Sequence, residues 1–274
     1  MKSKIKEPGI YYDVSYEEYD KIEAFRSTDL KTACIHGLKA FRRNELQKRP
    51  PSYALDFGRA MHACMERGER PFIIQATEVT PYCKSWTALQ KNNPDAIIVK
   101  PGDLELIQEL VKALAAHPRS GAMVESTEYT EVTLLWKCPV TGEMIKSRID
   151  SLCSLTSATD WKTTDNVQEI NIRRAIAKFG YDIQQAMIRD GLHQLGESHR
   201  REFYNVFIEK ERVMPDIAIY QFNTAELNDG SRKYREAIEA IKKAREANEW
   251  PGLHSNVITG LEGFDDSFSF GGAA

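Results

Sequence analysis

Apolar residues recur along this chain with two periods, and the switch between them marks out its elements. The helical period comes first. After an irregular entry with a short strand at about Gly9 to Val14, Ser15 opens a helix, and Ser27-Thr28-Asp29-Leu30 offers an N-cap for a helix reaching about Leu46. Lys48 to Pro51 breaks the pattern. Ala54 to Arg67 then carries Phe57, Met61, Cys64 and Met65 on one side. Residues 71–102 keep no sustained period and contain prolines, which predicts a loop-rich excursion. Asp103 to His117 spaces Leu104, Ile107, Leu110, Val111 and Leu114 as a helix does, with Pro118 beyond its end.

The period then shortens to two. Tyr129–Trp136, Glu143–Asp150 and Leu152–Lys162 read as strands, the first two joined by a turn at Pro139 to Gly142. Gln168 to Leu195 returns to the helical period in two pieces, divided near Gly180 and closed by Gly196. Two further strands, Phe203–Glu209 and Ile217–Phe222, precede a helix over Thr224–Glu249 with Tyr234, Ile238 and Ile241 on one side. There is no internal repeat. The order predicts an α/β fold of the mixed α+β kind: one domain over residues 1–260, a central mixed sheet flanked by helices, and a short polar-aromatic tail over 261–274.

Composition narrows the classes. The formal net charge is −3, so no global basic field announces nucleic acid, and any DNA contact must be a local groove. Lys39, Arg42 and Arg43, and Arg173, Arg174 and Lys178, are the candidate clusters, although each alone reads as a solvated helix face. The five cysteines are scattered without a C-x-x-C pair, which argues against zinc, an iron–sulfur cluster or a disulfide framework and fits a reducing cytoplasm. The opening MKSKIKEPG has no apolar core, so no signal peptide is expected, and no run reaches the ~18 apolar residues of a membrane span.

The chemistry gathers in the strands. Asp150 ends an apolar run, and Asp160 and Lys162 follow two apart, hence on one strand face. If those runs are neighbours, two carboxylates and an ammonium converge, a set suited to a divalent metal and the water it activates. His62 lies one helical turn after Gly58, where the missing side chain would let a metal or backbone approach. Tyr181 and Gln184 share a later helix. Read singly, each is an ordinary helix or hairpin residue; D-x-K alone fits a charged surface hairpin.

In this order, however, Gly58-x-x-x-His62, Arg148-Ile149-Asp150, Asp160-Trp161-Lys162 and Tyr181-x-x-Gln184 resemble the PD-(D/E)xK nuclease superfamily, with its restriction-endonuclease-like core, in the branch of RecB-type nuclease domains and phage exonucleases. Arg26-Ser27-Thr28-Asp29-Leu30 and Trp250-Pro251-Gly252 are similar to the two ends of the RecE (exonuclease VIII) nuclease domain. The resemblance implies a magnesium-dependent exodeoxyribonuclease with two ions, for which manganese can substitute. It would degrade linear double-stranded DNA processively 5′→3′, leave 3′ tails for a RecT-like annealing protein, and work as a homo-oligomeric ring, trimer or tetramer. It implies His62, Asp150, Asp160 and the Trp161 carbonyl as metal ligands, Lys162 and Gln184 as catalytic groups, and Ser27 and Tyr181 as substrate contacts. Glu131 is a candidate outer-shell carboxylate. The superfamily tyrosine four residues after the glutamine is here Ile188. A RecB-like endonuclease or single-strand nuclease, and a non-catalytic DNA end-binder of the same fold, are the alternatives. No G-x-x-x-x-G-K-[ST] is present to suggest a fused helicase.

Overall fold

The computed structural model describes residues 3–47, 52–66, 72–154 and 156–253. β1 (Gly9–Tyr11), α1 (Tyr16–Lys21) and β2 (Phe25–Arg26) lead into α2 (Ser27–His36) and α3 (Leu38–Leu46). α4 (Tyr53–Met65), β3 (Ile73–Gln75), α5 (Lys84–Asn92), β4 (Ile97–Val99), α6 (Asp103–Ala116) and α7 (Pro118–Ser126) follow. Next come β5 (Thr127–Lys137), β6 (Met144–Cys153), β7 (Ser157–Thr164), α8 (Glu169–Phe179) and α9 (Tyr181–Gln194). β8 (Glu202–Glu209), β9 (Ile217–Gln221) and α10 (Thr224–Ala247) complete the order.

The main sheet runs β1-β5-β6-β7-β8-β9, with β2 on the edge of β6. β7 with β8 and β2 with β6 are parallel; the other pairs are antiparallel. β8 explains the layering. Its Phe203 and Phe207 bury under α9 and α10 with Ile183, Met187, Tyr234 and Ile238. Its Tyr204, Val206 and Ile208 bury on the opposite face with Met61 of α4 and Ile107, Leu110 and Leu114 of α6. A strand apolar on both alternations must be covered on both faces, and helices do so.

β6 and β7 pair over only two residue pairs, Ser151↔Thr159 and Leu152↔Ala158. β7 then follows β8, in register from Ser157↔Glu202 to Thr164↔Glu209. The other end of the β6 edge is taken by β2, with Arg26 opposite Lys146. A gap is left between them, and Arg148 and Asp150 lie along it.

Several expectations need correction. The helix expected over Ser27–Leu46 is two helices, because Gly37 adopts φ 81 between them. Ser27 is not the N-cap: β2 holds Arg26 extended at φ −111 and ψ 157, so Arg26 takes that position and Ser27 starts the helix. Pro118 begins α7 rather than merely following α6; its fixed φ and missing N–H suit a first turn, with His117 as the cap. Residues 71–102 hold more than loop, since β3 and β4 form a small parallel sheet with α5 between them. Leu152 and Cys153 belong to β6, not to the next strand. The break at Lys48–Pro51 and the tail at 261–274 lie outside the described residues. Among the described residues, no helix is long and apolar enough to cross a membrane.

Candidate metal centre

Beyond the register shift between Thr127 and Tyr129 on β5, strict alternation also fails along β6, and the site is built there. Ile149 and Leu152 bury in the same layer, beneath α9 and α10, although their offset of three positions is odd and strict alternation would put them on opposite faces. Side-chain direction therefore slips by one between them, at Asp150. On the facing strand, Val132 pairs with Ile149 and Thr130 with Ser151, and Glu131 between them has φ 54. A left-handed glutamate is strained by roughly 1–2 kcal/mol, and such irregularities re-aim side chains beside functional sites. Here they turn Asp150 and Glu131, two like charges opposite each other, toward the gap.

α4 supplies the third group. Phe57, Ala60 and Met61 bury its apolar face, which sets His62 against the strands. His62 Nδ1 lies 3.5 Å from Glu131 Oε1, and its Nε2 lies 3.4 Å from Asp150 Oδ2 and 3.2 Å from the Trp161 carbonyl oxygen. The Trp161 N–H donates to Asp150 Oδ2 at 3.0 Å, so Asp150 bridges the parted strands in place of a ladder bond. Donor atoms of His62, Glu131 and Asp150 all lie within 4.8 Å of one another. The cavity there, bounded also by Met65, Thr130 and Trp161, is about 10 Å³, room for one ion or water. A histidine nitrogen, two carboxylates and a carbonyl oxygen fit a divalent ion such as magnesium or manganese. Arg148 pairs with the far side of Glu131.

A second group faces α9. Asp160 is 1% exposed, pairs with Lys162, and accepts from Gln184 Nε2 at 2.7 Å. The Lys162 ammonium lies 5.2 Å from the centre of the Tyr181 ring. Ser27 opens α2 directly after the β2–β6 pairing. The sequence-derived residues thus form two clusters: His62, Asp150 and the Trp161 carbonyl in one, Asp160, Lys162, Gln184 and Tyr181 in the other. Glu131, expected farther out, stands in the first cluster because of its left-handed backbone, which no residue pattern announces. Ile188 is a core residue at 1% exposure, and no side chain lies within contact of the position a Cβ on Gly58 would take. Of the basic clusters, Arg42 pairs with Glu45 and stacks on Trp250, and Arg173 pairs with Glu169.

Electrostatics match a site that attracts a cation. Burial, with the neighbouring Asp160 charge, pushes Asp150 up to about 7. Burial works against a charged His62, but Asp150 and Glu131 outweigh it and raise His62 to about 9. Glu131 stays below the usual carboxylate range despite burial, because His62 and Arg148 face it. Lys162, also buried, is held above its ordinary value by Asp160 and Asp150.

The sign of the linkage is definite. The His62 contribution to stability is full below its unfolded value and is lost as pH rises through about 9. Asp150 favours the fold while protonated and stops doing so as pH rises through about 7. As pH rises, the metal-free protein therefore loses stability first from the ordinary carboxylate range up to about 7 through Asp150 and then up to about 9 through His62, and a divalent ion that replaces the His62 proton is worth more in alkali. Saturating manganese should raise the melting temperature by about 3 °C more at pH 9 than at pH 6. An equal rise at both would show that these groups do not bind it.

Comparison with known proteins agrees with the fold. A crystal structure from Eubacterium rectale, of a protein named as a candidate exonuclease, aligns with a TM-score of 0.61 at 15% identity, covering 95% of this chain and 100% of that one. An alkaline exonuclease from Laribacter hongkongensis aligns at 13% identity over 72% of this chain and 94% of that one, with a TM-score of 0.31, too low to carry weight. No curated protein matches the chain. Residues 23–257 match the family model described as a PDDEXK-like domain of unknown function, DUF3799. That span is most of the chain, and it contains both clusters: this protein belongs to the PDDEXK-like family.

Proposed function

We propose that this protein is a metal-dependent exodeoxyribonuclease of the RecE kind, degrading linear double-stranded DNA 5′→3′ and leaving 3′ single-stranded tails. The observation that carries the reading is the parting of β6 and β7, which sets three metal-donor side chains beside a buried Asp160–Lys162 pair. The donor set suits a divalent ion, and a lysine next to it suits the charge that phosphodiester hydrolysis builds on phosphate oxygens. A bound ion, magnesium by preference, neutralises phosphate charge and lowers the pKa of attacking water.

His62, Asp150, Glu131 and the Trp161 carbonyl would hold the ion, with Asp160 completing the set for a second. Lys162, steered by Asp160, would orient the attacking water and offset the charge that builds on the phosphorus oxygens. Gln184 would fix the second carboxylate oxygen of the pair. The phenol of Tyr181 would border the scissile phosphate, and Ser27, at the N-terminus of α2, would meet the terminal 5′-phosphate. Polarity, the RecT-like annealing partner and a trimeric or tetrameric ring rest on the likeness of residues 26–30 and 250–252 to RecE. In the structure, Trp250 stacks on Phe41 at 6.0 Å and so ties that closing motif to α3. The name borne by the Eubacterium rectale protein supports the same reading.

The test is linear duplex DNA labelled at its 5′ or its 3′ end, with magnesium or with EDTA. Early release of 5′-labelled mononucleotide, only with metal, is the expected result. Attack on closed circles would redirect the assignment to an endonuclease, and no cleavage with any divalent metal would favour a DNA end-binder.

A further inference from the structure

Gln184 is held at both ends of its amide. Its Nε2 donates to Asp160 Oδ1 at 2.7 Å, and its Oε1 accepts from the Lys31 ammonium at 2.9 Å. A flipped amide would set oxygen against carboxylate and nitrogen against ammonium, so the two charged neighbours fix one orientation. Lys31 comes from α2, one helical turn after Ser27 and on the same face. Its ammonium lies 5.6 Å from the centre of the Tyr181 ring, which Lys162 also approaches at 5.2 Å. Tyr181 therefore has two ammonium groups as neighbours, one from the sheet and one from α2.

The path of the Lys31 stem accounts for a glycine. A Cβ on Gly180 would lie 3.0 Å from both Lys31 Cγ and Ile35 Cδ1 and 3.1 Å from Lys31 Cδ. Gly180 also has φ 63 where α8 gives way to α9. The helix break thus does two things: it starts α9 at Tyr181 and leaves a channel for an aliphatic stem. The α8–α9 break and α9 both meet this lysine of α2, the first along its stem and the second at its ammonium.

Resting on the nuclease reading above, we infer that Lys31 is a positioning residue of this reaction: through Gln184 it fixes the carboxylate of Asp160, and so the partner of Lys162. Without it the Gln184 amide loses one of two anchors, Asp160 can turn, and the Lys162 ammonium is no longer steered at the reacting phosphate. The same ammonium opposes a cation held nearby, so its loss strengthens metal binding while it weakens turnover. A purely structural lysine would do neither.

Lys31→Met should lower kcat on linear duplex by about 10- to 100-fold, with KM changed less than about threefold. Lys31→Arg, which keeps the charge, should recover most of the loss. Combined with Gln184→Ala, Lys31→Met should add little, because both act through one chain of contacts. Manganese titrated into the protein without DNA should bind Lys31→Met about fivefold more tightly than wild type. Unchanged kcat, or full additivity with Gln184→Ala, would overturn the assignment. If the wild type cleaves no DNA, the nuclease reading falls, and the manganese titration decides for Lys31: unchanged affinity overturns its role.

Discussion

Lys162→Met should lose DNA cleavage by about 10³-fold or more while keeping its fold. The expectation follows from where the ammonium sits. It is paired to Asp160, which is buried, and it is 18% exposed, so most of its contacts are inside the site. Only a face turned to the gap remains for substrate. A methionine keeps the length of the stem and its contact with the Tyr181 ring, but it carries no charge to offer a phosphorane. Gln184 still donates to Asp160, so the carboxylate keeps one partner. The fold should therefore survive with a modest loss of melting temperature. Turnover with saturating magnesium, measured beside a thermal scan, separates the two effects. Activity within tenfold of wild type would remove Lys162 from the mechanism.

Asp190→Ala should be the most damaging change away from the site, costing about 3–5 kcal/mol. Asp190 sits between α9 and α10 and accepts hydrogen bonds from Ser231 at 2.7 Å, Tyr234 at 2.7 Å and Arg235 at 2.7 Å, while Arg189 reaches its other oxygen. Its side chain is 11% exposed. Truncation leaves the Tyr234 hydroxyl and the Arg235 guanidinium without this acceptor, and leaves Arg189 only Asn228 and Ser231. The two helices can approach closely because of Gly230, whose Cβ would lie 2.6 Å from the Asp182 carbonyl oxygen. They cannot move apart to admit water without exposing Ile238 and Met187. A fall of about 10 °C in melting temperature is expected for a chain of this size. A loss under 1 kcal/mol in chemical denaturation would show that the cluster is not a unit.

The sheet and its helices were legible because a period of two or 3.6 survives in the residues themselves. The pairing of Asp160 with Lys162 was legible from their spacing on one strand face, whereas Asp150 falls in the other cluster, beside His62 and Glu131. The misses have physical causes. β2 is two residues long and exists because β7 has left the edge of β6 free, a tertiary fact. β3 and β4 are three residues each, too short to show a period. The break at Gly37 had a signal, a glycine in mid-helix, but it competed with good helix formers on both sides. Glu131 was read as peripheral because alternation says nothing of a left-handed glutamate. Lys31 gave no signal at all: its place beside Gln184 depends on a stem crossing a glycine 149 positions away in sequence.

The short pairing between β6 and β7 also bears on the mechanics of the sheet. To one side stand β1, β5, β6 and β2; to the other, β7, β8 and β9. Two residue pairs, the Asp150–Trp161 bond and the bond from Trp161 Nε1 to Ser151 Oγ join them, which makes this a thin seam between the two halves of the sheet and a natural line of local opening. A cation, if held as proposed by Asp150 and Glu131 from one half and the Trp161 carbonyl from the other, would act as a rivet across that seam. Loading the site and stiffening the sheet would then be one event, and the ion that serves the proposed chemistry would also close this joint of the fold.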